Sequence, residues 1–429
     1  MQPQLISWKV SAVSSLKSCL WINRVVSLIT ARAGGVTGIA ILCSFVGIGV
    51  DCIAQDQDVL CSAGNGSFQA QFEASGVAVR VGAARNGELA TRSCEAVLGW
   101  KKQTLTVATN VAQIDIDEFG ADVGLGQPVV AFQVKTSEKN CCREYRIYSL
   151  REHPQLLRTI TGGESFNAAD TDLDGRVEIW TDDAAVVDGF ESLTFGELVP
   201  PTIVLRFSRG KLRDVSGEFQ SDFDDQISKL RREINQDELR SFKGSEGNLS
   251  GDNKLSAEQV HKLRRVKGKV LGIAWAYVYS GREQQAWDTL AAMWPASDIP
   301  RIRTAILNTW QKGVKAQTNG STADSKKRQK RVTIFDAIGR SRGKPEVISP
   351  EGILLTRPAS TETPGVTAAE SVLDLLIDSA GKVRSVERSG KGTIDHALVE
   401  AAAGWKFIPA LKDGRAVACR MRLSVSLRQ

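Results

Sequence analysis

The sequence predicts a multidomain α+β protein: a β-rich N-terminal domain, a helical middle and a small α+β domain at the C-terminus. Three changes of pattern carry that expectation. Apolar residues alternate with polar ones over residues 55–215, recur at helical spacing over 216–316, lose periodicity over 317–365, and return to a mixed strand and helix pattern over 366–429. At 429 residues, 42% hydrophobic and 24% charged, the chain is long enough for about two to four domains with ordinary globular cores. A net charge of +6 over this length singles out no class of anionic partner.

Residues 1–54 read as a leader. Arg24 and Arg32 precede the uncharged stretch Ala33–Val50, which is followed by Asp51-Cys-Ile-Ala54. A spanning helix needs about 20 mostly apolar residues. This run is shorter and glycine-containing, and it ends at a small-residue site that suits cleavage after Ala54. A cleaved signal peptide and a retained inner-membrane anchor both remain open. Either one places the rest of the chain in the periplasm.

The cysteines beyond the leader agree with export. Cys61, Cys94, Cys141, Cys142 and Cys419 are odd in number and lack CxxC spacing, which argues against a zinc or thioredoxin-like motif. Cys61 and Cys94 are the candidate disulfide of an oxidising compartment. The adjacent Cys141 and Cys142 are not expected to bond to each other, because backbone strain opposes it.

Within residues 55–215, short strands such as Gly76–Val81, Thr104–Val107, Pro128–Val134 and Ile203–Phe207 are divided by Gly and Asp clusters. The segment Asp170-Thr-Asp-Leu-Asp-Gly-Arg-Val-Glu178 stands out for its chemistry. Alternate carboxylates in a tight loop converge when a glycine permits the turn, and Ca²⁺ takes six to eight oxygen ligands. The expected ligands are the side chains of Asp170, Asp172, Asp174 and Glu178 with the Arg176 carbonyl, holding calcium in a structural role. The competing reading is an Asp/Gly turn whose carboxylates cap backbone groups.

Thr181 stands where an EF-hand needs its bidentate Glu, and Val177-Glu-Ile-Trp180 reads as a strand. The loop resembles the FG-GAP or integrin-type propeller repeat. Asp115-Ile-Asp-Glu-Phe-Gly120 reads as a degenerate earlier copy in which Phe119 replaces the third carboxylate. Two copies fall short of a closed propeller, so a small sandwich or partial propeller-like unit is expected.

In residues 216–316, Ser256 and Gln259 form a capping box before a helix using Val260, Leu263, Val270, Ala274 and Val278. A second helix runs from Arg282 towards Trp294, and a third, capped by Asp298, uses Ile302, Ile306 and Trp310. Trp275, Trp287, Trp294 and Trp310 fall at apolar helical positions and are expected in the core. Residues 317–365 read as a linker. Its basic run Lys326–Arg331 is read as a solvated stretch, with no nucleic-acid partner.

The tail reads as strand, turn, strand, helix, loop, strand. Leu373, Leu375 and Ile377 alternate, Asp378-Ser-Ala-Gly381 turns the chain, and Val383–Val386 return. Ile394, Ala397, Leu398, Ala401 and Trp405 follow helical spacing. The last strand puts Val417, Cys419, Met421, Leu423, Val425 and Leu427 on one side and Arg420, Arg422, Ser424, Ser426 and Arg428 on the other.

Leu376-Ile-Asp-Ser-Ala-Gly-Lys-Val383, Ser389-Gly390, Ile394-Asp395, Ala401-Ala-Ala-Gly-Trp-Lys-Phe407, Pro409-Ala410 and Lys412-Asp-Gly-Arg415 together resemble the TonB C-terminal domain, over about residues 366–428. The resemblance implies a small sheet packed on one or two helices. It also implies an edge strand, about Val417–Leu427 with Val417, Arg420, Arg422, Ser424 and Ser426, that pairs with an extended segment of an envelope or outer-membrane protein.

No chemistry is expected. The three histidines, His153, His261 and His396, are far apart, and no nucleophile elbow, P-loop or dinucleotide fingerprint occurs. The expectation is a non-catalytic, exported binding protein. A membrane-anchored, TonB-like energy transducer for receptor-driven transport is the alternative.

Overall fold

The computed structural model describes residues 59–84, 93–137, 141–249, 256–310, 312–320, 333–337, 347–356, 370–389 and 396–426. The leader, its apolar run and the basic run Lys326–Arg331 lie outside these residues. The architecture is mixed α and β, with mainly antiparallel sheets and seven α-helices among the described residues. No helix among them is long and apolar enough to cross a membrane.

Three four-stranded antiparallel meanders follow one another. After the short β1 (Cys61–Ser62), the first runs through β2 (Phe68–Phe72), β3 (Val77–Ala83), β4 (Cys94–Trp100) and β5 (Gln103–Val111). The second comprises β6 (Gln113–Phe119), β7 (Val129–Lys135), β8 (Arg143–Ser149) and β9 (Leu156–Gly163), with β1 added beside β6. The third comprises β10 (Phe166–Ala169), β11 (Glu178–Asp182), β12 (Thr202–Ser208) and β13 (Lys211–Asp214).

Alternation sets the packing. Val77, Val79 and Val81 of β3 and Ala96 and Leu98 of β4 point inward against Ile114, Ile116, Val130 and Phe132 of the second sheet. The opposite face of that sheet, with Val129, Ala131, Tyr145 and Ile147, joins the core of the third. Strand β7 is therefore covered on both faces, which accounts for its nearly unbroken apolar run. The disulfide Cys61–Cys94 ties β1 to β4 inside the first core. Cys141 and Cys142 are also joined, against the expectation for sequence neighbours; they lie half-buried in the turn entering β8, with Cα atoms 3.7 Å apart.

The helices continue the third sheet's core without a break at residue 215. They are α1 (Ala184–Val187), α2 (Gln220–Arg232), α3 (Gln236–Lys243), α4 (Ala257–Tyr279), α5 (Glu283–Met293) and α6 (Ile299–Trp310). Ser256 and Gln259 form the capping box of α4, each side chain bonding the other's backbone. Trp275 and Trp294 are fully buried. Asp298 instead takes the indole N–H of Trp294 at 2.8 Å and the Arg301 guanidinium, a side-chain network in place of the cap read from sequence.

The segment read as a linker contributes structure to the tail: Phe335–Asp336 forms β14, Glu351–Leu354 forms β15, and Val347 joins the tail's own core. The tail continues with β16 (Glu370–Ile377), β17 (Val383–Arg388), α7 (His396–Ala403), β18 (Lys406–Ile408), β19 (Ala410–Lys412), β20 (Arg415–Val417) and β21 (Cys419–Ser426). Its sheet has the order β14-β21-β16-β17. Leu373, Leu375 and Ile377 point into a core with Leu398, Trp405, Leu423 and Val425, as their alternation requires.

Candidate functional site

Pairing of Ala169 with Glu178 closes a hairpin whose loop carries the acidic residues. Within it, Asp172 Oδ1 accepts the N–H of Asp174 at 3.3 Å and Asp174 Oδ1 that of Arg176 at 2.9 Å. Asp170 Oδ2 accepts the N–H of Gly175 at 3.0 Å. Gly175 has φ +82°, a conformation that favours glycine and lets the loop fold back. The result brings carboxylate oxygens of Asp170, Asp172 and Asp174 within 4.8 Å of one another.

Glu178, also expected as a ligand, has both carboxylate oxygens engaged by protein groups. Glu178 Oε1 accepts two hydrogen bonds from Arg206, at 2.9 and 2.7 Å, and its Oε2 accepts the N–H of Thr171 at 3.0 Å. It is a fully buried anchor beneath the loop. Burial pushes its carboxyl up to about 7 against the opposing charge of Arg206. The Arg176 side chain folds back onto Asp174, whose carboxyl stays below its usual range because Arg176 outweighs the effect of burial.

Three carboxylates suit a hard divalent cation, and one atom tests the fit. Asp170 is wholly buried, yet its Oδ1 has no hydrogen-bond partner. A buried polar atom left unpaired is destabilising by about 1–3 kcal/mol, more if charged. Burial also raises its pKa. A cation held by Asp170, Asp172 and Asp174 would supply the missing partner and offset the converging charge. Asp115–Phe119, read from sequence as a degenerate loop, lies within strand β6, and in the turn that follows Asp122 Oδ1 accepts N–H groups from Gly124, Leu125 and Gly126.

A contact that sequence reasoning missed closes over this loop. The tail's hairpin turn reaches it: Asp378 Oδ2 accepts the N–H of Asp170 at 3.1 Å, and Ser379 Oγ donates to Asp170 Oδ2 at 2.7 Å. Asp378 Oδ1 accepts N–H groups from Ala380 and Lys382, each at 2.9 Å, and burial pushes this carboxyl up to about 6. Gly381 has φ +78°, and a Cβ there would lie 1.8 Å from the Phe407 carbonyl oxygen, so no other residue fits this turn unchanged.

Two lysines complete the docking. Lys382 Nζ lies 2.7 Å from Asp117 Oδ1, and Asp117 Oδ2 accepts the Tyr145 hydroxyl at 2.7 Å and the Ala168 N–H at 2.8 Å. Lys406 donates to the Ile116 carbonyl at 2.5 Å and lies 3.5 Å from Asp115. Glu118 is buried beside them, and burial pushes its carboxyl up to about 8. The crevice lined by Leu60, Phe68, Glu118, Ile353 and Lys382 has a volume of about 10 Å³, room for about one water at most. The available signal was the set of acids Asp115, Asp117 and Glu118 among the apolar Ile114, Ile116 and Phe119 of one strand.

At the tail's outer edge, Phe335 N–H donates to the Ala418 carbonyl at 3.0 Å and Ala337 N–H to the Arg420 carbonyl at 2.9 Å. Even-numbered residues of β21 therefore turn their backbone groups outward. Of the expected pairing residues, Val417 pairs with Ala410 in β19, and Arg420 is engaged by the short parallel β14. Arg422 makes a bidentate ion pair with Asp374 across from it, at 2.7 and 3.0 Å. Ser424 and Ser426 follow on β21. Beyond Arg420, no described strand pairs with this side of β21. A scan against protein-family models finds none that matches this chain, and a search of curated proteins finds no match.

Proposed function

We propose that the chain is a non-catalytic binding protein of the bacterial periplasm whose TonB-like tail takes an extended segment of an envelope or outer-membrane protein onto the edge of β21. The observation that carries this reading is the outer side of β21, an eight-residue strand paired there only at Cys419 and Arg420 among the described residues. The backbone groups of Arg422 and Ser424 face outward, and main-chain pairing supplies affinity in this mode of recognition. The tail's sequence of hairpin, helix and closing strand supports the TonB-like assignment, and the Cys61–Cys94 disulfide supports an oxidising compartment.

The acidic loop is read as a structural calcium site held by Asp170, Asp172 and Asp174, with the unpartnered Asp170 Oδ1 as its support. Docking of the tail through Lys382 favours the binding protein over an energy transducer, whose tail would have to leave the body. The test places a photo-crosslinking residue at Arg422 or Ser424 in the full chain expressed in a bacterial envelope. Adducts to one extended segment of a partner are expected at both positions. Those from the probe at Arg422 should vanish with Ser424→Pro, which removes an outward N–H. Adducts unaffected by that substitution would rule out strand addition.

A further inference from the structure

The acidic loop and the tail hairpin belong to segments more than two hundred positions apart, separated by 208 and 209 residues at their two hydrogen bonds. We propose that cation binding in the loop and docking of the tail are coupled: Ser379 and Asp378 position Asp170 for the ion, and the ion in turn holds the hairpin on the body. This rests on the calcium reading of the loop.

The geometry divides the labour at Asp170. Its Oδ2 is fixed from two sides, by Gly175 N–H within the loop and by Ser379 Oγ from the tail, while its N–H is held by Asp378. That leaves Oδ1 as the one oxygen without a partner. Orienting bonds of this kind on a ligating carboxylate set its direction and the affinity of a metal site. Arg384 adds a further tie from the tail, donating to the Thr171 carbonyl at 3.3 Å. Ser379 is a positioning residue here; it bonds to the ligand's second oxygen and not to the ion.

Charge gives the coupling its sign. Docking places the buried Asp378 carboxylate in hydrogen-bond contact with the Asp170 N–H, next to the converging carboxylates of Asp170, Asp172 and Asp174, and like charges held this close repel. A divalent cation among the loop carboxylates offsets that repulsion. The docked tail and the bound ion therefore favour each other, and linkage makes the effect reciprocal: whatever factor the tail adds to ion affinity, the ion adds to docking.

The test is calcium titration of the full chain by calorimetry together with amide hydrogen exchange of the hairpin. Wild type is expected to bind calcium, and Ser379→Ala to weaken that affinity roughly three- to tenfold, the range of a lost hydrogen bond. Calcium should slow exchange at Ala380 and Lys382, whose N–H groups bond to Asp378, and should fail to do so in Asp172→Ala, which removes an exposed ligand and leaves the hairpin contacts in place. If wild type binds calcium but Ser379→Ala binds equally well and exchange at the hairpin is unchanged, the coupling is wrong while the metal reading stands. If wild type binds no calcium, both are wrong.

Discussion

Ser379 Oγ and Asp170 Oδ2 are joined by a 2.7 Å hydrogen bond between two buried side chains 209 positions apart. The bond makes the acidic loop and the tail turn one structural element. A hydrogen bond to a charged acceptor contributes about 1.5–3 kcal/mol. A double-mutant cycle of Ser379→Ala with Asp170→Asn, read by urea unfolding, is expected to give a coupling energy of about 1–2 kcal/mol. A coupling near zero would mean that the two groups do not meet in solution.

Lys382 is the heavier anchor. Removing one partner of a buried ion pair leaves the other charge uncompensated and destabilises by about 3–5 kcal/mol. Lys382→Met keeps the bulk of the stem and strands Asp117, which is 4% exposed. A loss of that size in chemical denaturation is expected. A loss under about 1 kcal/mol, the range of exposed pairs, would show that the tail is not docked as described.

Glu118 sets a pH dependence. Its carboxyl is raised from 4.5 in the unfolded chain to about 8 in the folded one, chiefly by burial. Between those values the unfolded chain has lost the proton that the folded chain keeps, so stability falls as pH rises through this window. Glu118→Gln lacks that slope. The variant should match wild type near pH 4 and exceed it by an amount on the order of a few kcal/mol above pH 8. Parallel stability profiles across this range would show that Glu118 does not carry the dependence.

The disulfide between Cys61 and Cys94 closes a loop with a sequence separation of 33. Loop-closure entropy assigns such a cross-link about 3–4 kcal/mol. Cys94→Ala should lower unfolding stability by about that amount, as should reduction of the wild type. Equal stability of the oxidised and reduced chains would place the stabilisation elsewhere. Cys419, the free thiol among the described residues, is buried, and burial pushes it up to about 12, so thiol reagents should modify it only on unfolding.

The sequence by itself determined what acts over short range. The capping box of Ser256 and Gln259, the inward stripe Leu373, Leu375 and Ile377, the turn at Asp378–Gly381 and the convergence of Asp170, Asp172 and Asp174 each depend on neighbours within a turn or along one strand. Only the tertiary structure decided the rest. Glu178 has the same spacing whether it faces an ion or a guanidinium; it meets Arg206 because β11 pairs with β12 in the register that sets those two residues opposite each other. The docking of Lys382 on Asp117 and of Ser379 on Asp170 joins segments more than two hundred positions apart, which no local periodicity encodes. Burial then turns those acids and lysines from solvated charges into obligatory pairs, because an unpaired charge in a core is far more costly than one in water.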